Sequence, residues 1–164
     1  EAPERVAGRA VGNRLVKVKL EVDTDPPAAL RSERRNLLEP FPFPVRGVTP
    51  PCLFSGKLHA CLCRAWKARV KGRDWYDLLF FVARGVKADL AHLEARLRQS
   101  GHWTEGRPLA AGDAARMLRE RIEALDWRQA RDDALPFVRD ARALEAWGPD
   151  LFADVAGRIE WSGE

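Results

Sequence analysis

The spacing of apolar residues changes once along this chain, and that change limits the folds open to it. From Arg14 to Asp23 the run R-L-V-K-V-K-L-E-V-D alternates, as a strand does when successive side chains point to opposite faces. Val16, Val18, Leu20 and Val22 share one face; Lys17, Lys19, Glu21 and Asp23 share the other. Beyond Thr49 the apolar residues recur at helical spacing instead. The expected class is therefore α+β, a short N-terminal β segment followed by a helical bundle, with the boundary near Thr49.

Between these parts, Thr24–Glu39 is polar, opens on Asp25-Pro26-Pro27 and reads as a loop with a helical turn. Phe41-Pro42-Phe43-Pro44-Val45-Arg46 suits only an extended edge, because each proline removes a ladder donor. Thr49-Pro50-Pro51 opens a helix over 51–67, with Thr49 as cap and the stripe Leu58, Cys61, Leu62 and Ala65. A second helix starts at Asp74 and stops at Gly85. A third is capped by Asp89, carries Leu90, Leu93 and Leu97, and ends before Gly101. A fourth covers Asp113–Leu125, a short turn follows near Trp127, and Pro136 and Pro149 each start another helix. Phe137, Ala141 and Leu144 should pack the first of these, and Leu151, Val155 and Ile159 the second. Residues 1–12 read as an irregular lead-in.

The longest apolar run is Leu78–Ala83, far short of the roughly 20 residues that span a bilayer. No basic-then-apolar leader opens the chain, so a cytoplasmic protein without a membrane segment is expected. Cys52, Cys61 and Cys63 form no disulfide framework. Residues two apart on a helix diverge by about 200°, so Cys61 and Cys63 cannot share a metal ion, and the thiols are expected to be structural. A net charge of +4 is compatible with nucleotide or RNA without arguing for either.

The densest functional signal lies between Ser55 and Leu78. Lys57, Arg64, Lys67, Arg69, Lys71 and Arg73 all precede the first acid, Asp74, and Asp77 stands three residues further on. On helices, Lys57 and Arg64 share a face, as do Asp74 and Asp77. Each has a plain alternative: the cations near the helix end favour its dipole and solvent, Asp74 can cap, and Lys57 can be a surface lysine. The face carrying Lys19 and Glu21 is either solvated or the floor of a catalytic site.

K-L-E-V at Lys19–Val22, S-G-K-L-H-A at Ser55–Ala60 and K-G-R-D-W-Y-D-L at Lys71–Leu78, in that order, resemble three consecutive motifs of the AbiEii/AbiGii toxin family. The resemblance spans about residues 14–160 and is looser over the helical tail. It implies a nucleotidyltransferase related in fold to DNA polymerase β, with 1–48 the C-terminal part of the catalytic β region and 49–164 a helical domain. It also implies transfer of a nucleoside monophosphate from an NTP, with Mg²⁺, to an acceptor such as RNA or tRNA. Members are bacterial toxins of toxin–antitoxin or phage-defence pairs, so a cognate antitoxin is an implied partner.

By the same resemblance Lys57 binds the triphosphate, and Asp77 and Asp74 orient it or accept the hydroxyl proton. Glu21 is a metal ligand with Lys19 beside it, and Arg73 meets phosphate. Trp75 and Tyr76 are expected to pack their helix. The family pattern has an earlier Gly-Ser turn followed by Asp-x-Asp or Asp-x-Glu, which this sequence lacks. The expectation is truncation upstream of Glu1, with these 164 residues inactive by themselves. The rival reading is a non-catalytic basic helical module that binds RNA or a protein partner.

Overall fold

The computed structural model describes residues 18–64 and 70–163. It is α+β: a two-stranded antiparallel ribbon precedes a helical body. The ribbon pairs β1 (Ser32–Leu37) with β2 (Phe43–Val48) in a register that sets Arg34 against Arg46 and Leu37 against Phe43. The body holds α1 (Pro50–Cys63), α2 (Gly72–Ala83), α3 (Leu90–Gln99), α4 (Ala111–Glu123), α5 (Trp127–Ala134) and α6 (Pro149–Gly157). A parallel contact between β3 (Ala88–Asp89) and β4 (Trp161–Ser162) ties the end of the described chain to the start of α3.

Three expectations about local structure are corrected. Residues 18–23 form no strand, and Val18, Leu20 and Val22 are 84%, 85% and 74% exposed. A strand exchanges its hydrogen bonds with a neighbour, and no described strand lies beside this one. Arg14–Lys17, the lead-in, Ala65, Lys67 and Arg69 lie outside the described residues. The polar stretch expected as a loop contains β1, although a single turn does close it at Pro27–Leu30. Pro136 starts no α-helix; α5 tightens into a 3₁₀ turn at Leu135–Phe137, and a second such turn covers Ala141–Leu144. Pro136 falls just behind α5, where carrying the α-helix onward would use the N–H that proline lacks. Phe137 consequently stays 61% exposed while Leu144 is buried.

The other helices follow their sequence signals in position, but α1 ends at Cys63 rather than near 67, and the short turn expected near Trp127 is the eight-residue α5. Pro50 and Pro51 sit in the first turn of α1, where no N–H is required. Thr49 occupies the cap position, but its hydroxyl is buried without a hydrogen-bond partner and makes no cap bond. Asp89 does cap α3, accepting from the His92 N–H at 3.0 Å. Gly85 and Gly101 take positive φ where α2 and α3 end.

The core is continuous. Phe54, Leu58 and Cys61 of α1 pack with Trp75 and Leu78 of α2, Leu93 and Leu97 of α3, and Leu118 and Ile122 of α4. Trp127 stacks on Phe152 with centroids 4.4 Å apart, and Trp75 and Trp147 meet that pair edge-on. At Gly72, α2 crosses α5 so closely that a Cβ would collide with the Ala130 carbonyl oxygen.

One buried carboxylate binds the ribbon to this body. Asp89, fully buried, accepts from Arg31 Nε at 2.9 Å and forms an ion pair with the same guanidinium. Cys52 Sγ lies 3.3 Å from it. Burial opposes its ionisation, but the bonds from His92, Arg31 and Cys52 prevail and hold the carboxyl below its ordinary range. Arg31 immediately precedes β1, and its carbonyl accepts from the Thr49 N–H at 3.0 Å, so both ends of the ribbon are fixed.

Candidate active site

The periodicity of α1 places Lys57 and Arg64 two turns apart on one face, and that of α2 places Asp74 and Asp77 together. Where the helices pack, the two sets meet in crossed order. Lys57 Nζ lies 2.7 Å from Asp77 Oδ2, and Arg64 Nη1 lies 2.8 Å from Asp74 Oδ2. The first cation takes the second acid, as antiparallel helices require. Asp74 is therefore not the cap of α2. The helix begins at Gly72, Lys71 stands at its cap position, and the Asp74 carboxylate serves Arg64 instead.

Both pairs line a cleft of about 350 Å³ shared with Lys71, Arg73, Tyr76, Ala134, Phe137 and Val138. Four cations against two acids leave its wall with a net charge of +2. The Arg73 guanidinium sits 4.5 Å above the Phe137 ring and has no carboxylate partner among the described residues. Tyr76 corrects its expectation: it is 47% exposed and faces this cleft, whereas Trp75 is buried as expected. The exposed Phe137 belongs to the same wall. Neither ring was legible as a lining residue, because Tyr76 follows Trp75 on one amphipathic helix and Phe137 depends on the 3₁₀ turn.

Lys19 and Glu21 are elsewhere. They form an ion pair with each other on the exposed segment 18–23, and neither lines the cleft. Asp23, from the same segment, does line a second cleft together with Lys57.

The described residues do not build a Mg²⁺ site. No three of their His, Cys, Asp and Glu side chains converge on a point that could hold a metal ion. Each nominated carboxylate is instead engaged by a cation: Glu21 by Lys19, Asp74 by Arg64, Asp77 by Lys57. Cys61 and Cys63 offer no nucleophile here. Burial, reinforced by Asp74 and Asp77, pushes the Cys61 thiol up, and burial pushes Cys63 up to about 11.

What the arrangement can do is hold a polyanion. Lys57 is 43% exposed, so its ammonium reaches solvent while Asp77 fixes its direction. Among the described residues, no helix is long and apolar enough to cross a membrane.

No curated protein and no solved structure matches the chain. The family described as nucleotidyl transferase AbiEii toxin, of type IV toxin–antitoxin systems, matches residues 3–154. That match runs through the cleft, both ion pairs and nearly all of the helical body. The chain belongs to the AbiEii nucleotidyltransferase toxin family.

Proposed function

We propose that this cleft binds the triphosphate of an NTP during transfer of a nucleoside monophosphate to an acceptor hydroxyl, RNA or tRNA being the acceptor class. One observation carries the reading: Lys57, held at 2.7 Å by Asp77, stands in a cleft whose wall is net positive. In such transfers charge builds on phosphoryl oxygens, so the protein contributes mainly by positioning cations against them.

Lys57 serves as a mobile point charge for the phosphate chain. Asp77 orients it and, in this reading, accepts the incoming hydroxyl proton. Asp74 acts through Arg64, keeping that guanidinium at the cleft. Arg73, seated on Phe137, supplies a further cation at the rim. Lys19 and Glu21, paired with each other outside both clefts, have no step in this reading, and none is assigned to a metal. In the cell the activity would be that of a toxin held in check by a separate antitoxin.

An exposed ion pair contributes at most about 1 kcal/mol to stability, so Lys57→Ala should fold normally. Transfer of label from an NTP should then fall about a hundredfold, the scale of one charged transition-state contact. Near-normal transfer would refute the assignment. A second, non-catalytic reading draws on the ribbon, where Arg34 and Arg46 face each other across the strands, both exposed. Like charges so placed repel, as a surface awaiting an anionic partner would. RNA binding that weakens with salt yet ignores Lys57→Ala would favour that reading.

A further inference from the structure

Lys57 is shared by two clefts. The second, of about 430 Å³, opens on its other flank between α1 and α3, beneath the segment at Asp23–Leu30. Its cations are Lys57, Arg64 and Arg96, and its acids are Asp23 and Asp74, of which Asp74 is already bound to Arg64. Arg96 belongs to this wall. Its Nε donates to His92 Nε2 at 3.0 Å, and that imidazole is fully buried. Its terminal nitrogens have no carboxylate partner among the described residues. The other guanidinium in this wall, Arg64, has Asp74 as its carboxylate partner.

The surroundings keep this guanidinium in place and open. Residue 56 is glycine, and the Arg96 guanidinium lies beside it at ordinary van der Waals distance from where a Cβ would stand, 3.8 Å from Nε. Burial and the Arg96 charge hold His92 below its ordinary proton affinity, so its ring stays neutral and Nε2 remains an acceptor. An arginine oriented through Nε presents its two terminal nitrogens as a fork, the geometry that matches two oxygens of one phosphate.

We infer that Arg96, seated on His92, is a phosphate-binding residue that extends the Lys57 subsite across α1, so that a polyphosphate chain lies over Lys57 with its far end on Arg96. The inference rests on the reading of Lys57 given above. The ligand is the phosphate chain of a nucleoside triphosphate; the backbone of an acceptor strand offers the same chemistry and is separated from it by the test.

The probe is inorganic tripolyphosphate, titrated calorimetrically into the 164-residue chain beside a single-stranded oligonucleotide without a 5′ triphosphate. Arg96→Ala should weaken tripolyphosphate binding about tenfold, as loss of a charge-assisted fork implies. Arg96→Lys should recover only part of it, and Lys57→Ala should weaken it too. Arg158→Ala, an equal charge change just beyond the end of α6, should leave binding unaltered. If Arg96→Ala disturbs folding, Arg96→Gln retains a donor for His92 and takes its place. Unchanged tripolyphosphate binding by the Arg96 variants, with Lys57→Ala impaired, overturns this inference and leaves the Lys57 reading standing. If neither position matters, both fall. A loss confined to the oligonucleotide assigns Arg96 to the acceptor strand and also overturns it, as does an equal loss with Arg158→Ala.

Discussion

Helix α3 and the segment 18–23 carry equally regular apolar patterns, yet only one of them buries its stripe. Leu90, Leu93 and Leu97 are 5%, 0% and 0% exposed, against 84%, 85% and 74% for Val18, Leu20 and Val22. The difference lies in where backbone hydrogen bonds are made. A helix closes them within itself, so its apolar face needs only a surface to pack on. A strand needs a second strand before its pattern has any consequence. Period alone therefore located the helices well and the first strand badly.

The contrast breaks most directly by truncation. Leu93→Ala should destabilise the protein by about 3 kcal/mol, the usual result for a leucine removed from a packed core. Leu20→Ala should change it by less than about 0.5 kcal/mol. Urea denaturation checks both, and comparable losses would mean that 18–23 is packed after all. Gly72→Ala comes next. The added methyl meets the Ala130 carbonyl oxygen, so α2 and α5 must separate, at about 2 kcal/mol for overpacking. A neutral result in the same assay would show that the crossing has room.

The smallest effect sharpens the comparison from the α1 side. Burial, with the Arg96 charge next, lowers His59 to about 4. The unfolded chain takes up that proton near pH 6.5. Between about 6.5 and about 4 the unfolded state therefore binds more protons, and stability falls as pH drops through that window. His59→Gln should flatten this part of the profile in urea midpoints taken across pH, leaving the slope due to His92, which burial also lowers. An unchanged slope would place the titration elsewhere.

The candidate site was readable in part. Lys57, Arg64, Asp74 and Asp77 declare their faces through spacings of seven and three, and the motif resemblance supplied a reason to bring those faces together. The particular pairing was not legible, since it depends on how α1 crosses α2. Asp74 has the residue type of a cap, and only the start of α2 at Gly72 excludes that role. β1 was hidden because Ser-Glu-Arg-Arg-Asn-Leu carries no alternation; its strand form comes from β2 across the turn. The two-residue β3–β4 contact joins positions too distant for any local signal. Arg96 and His92, four apart on α3, did carry a signal: that spacing lets one side chain reach the other.

Whether Lys57 and Asp77 work as one device is tested most directly by a double-variant cycle on NTP label transfer, using Lys57→Ala, Asp77→Asn and both. A shared role predicts that the double variant is scarcely worse than Lys57→Ala, because a misdirected ammonium and a missing one fail alike. Losses that multiply, or a Lys57→Ala protein that transfers label normally, would contradict it.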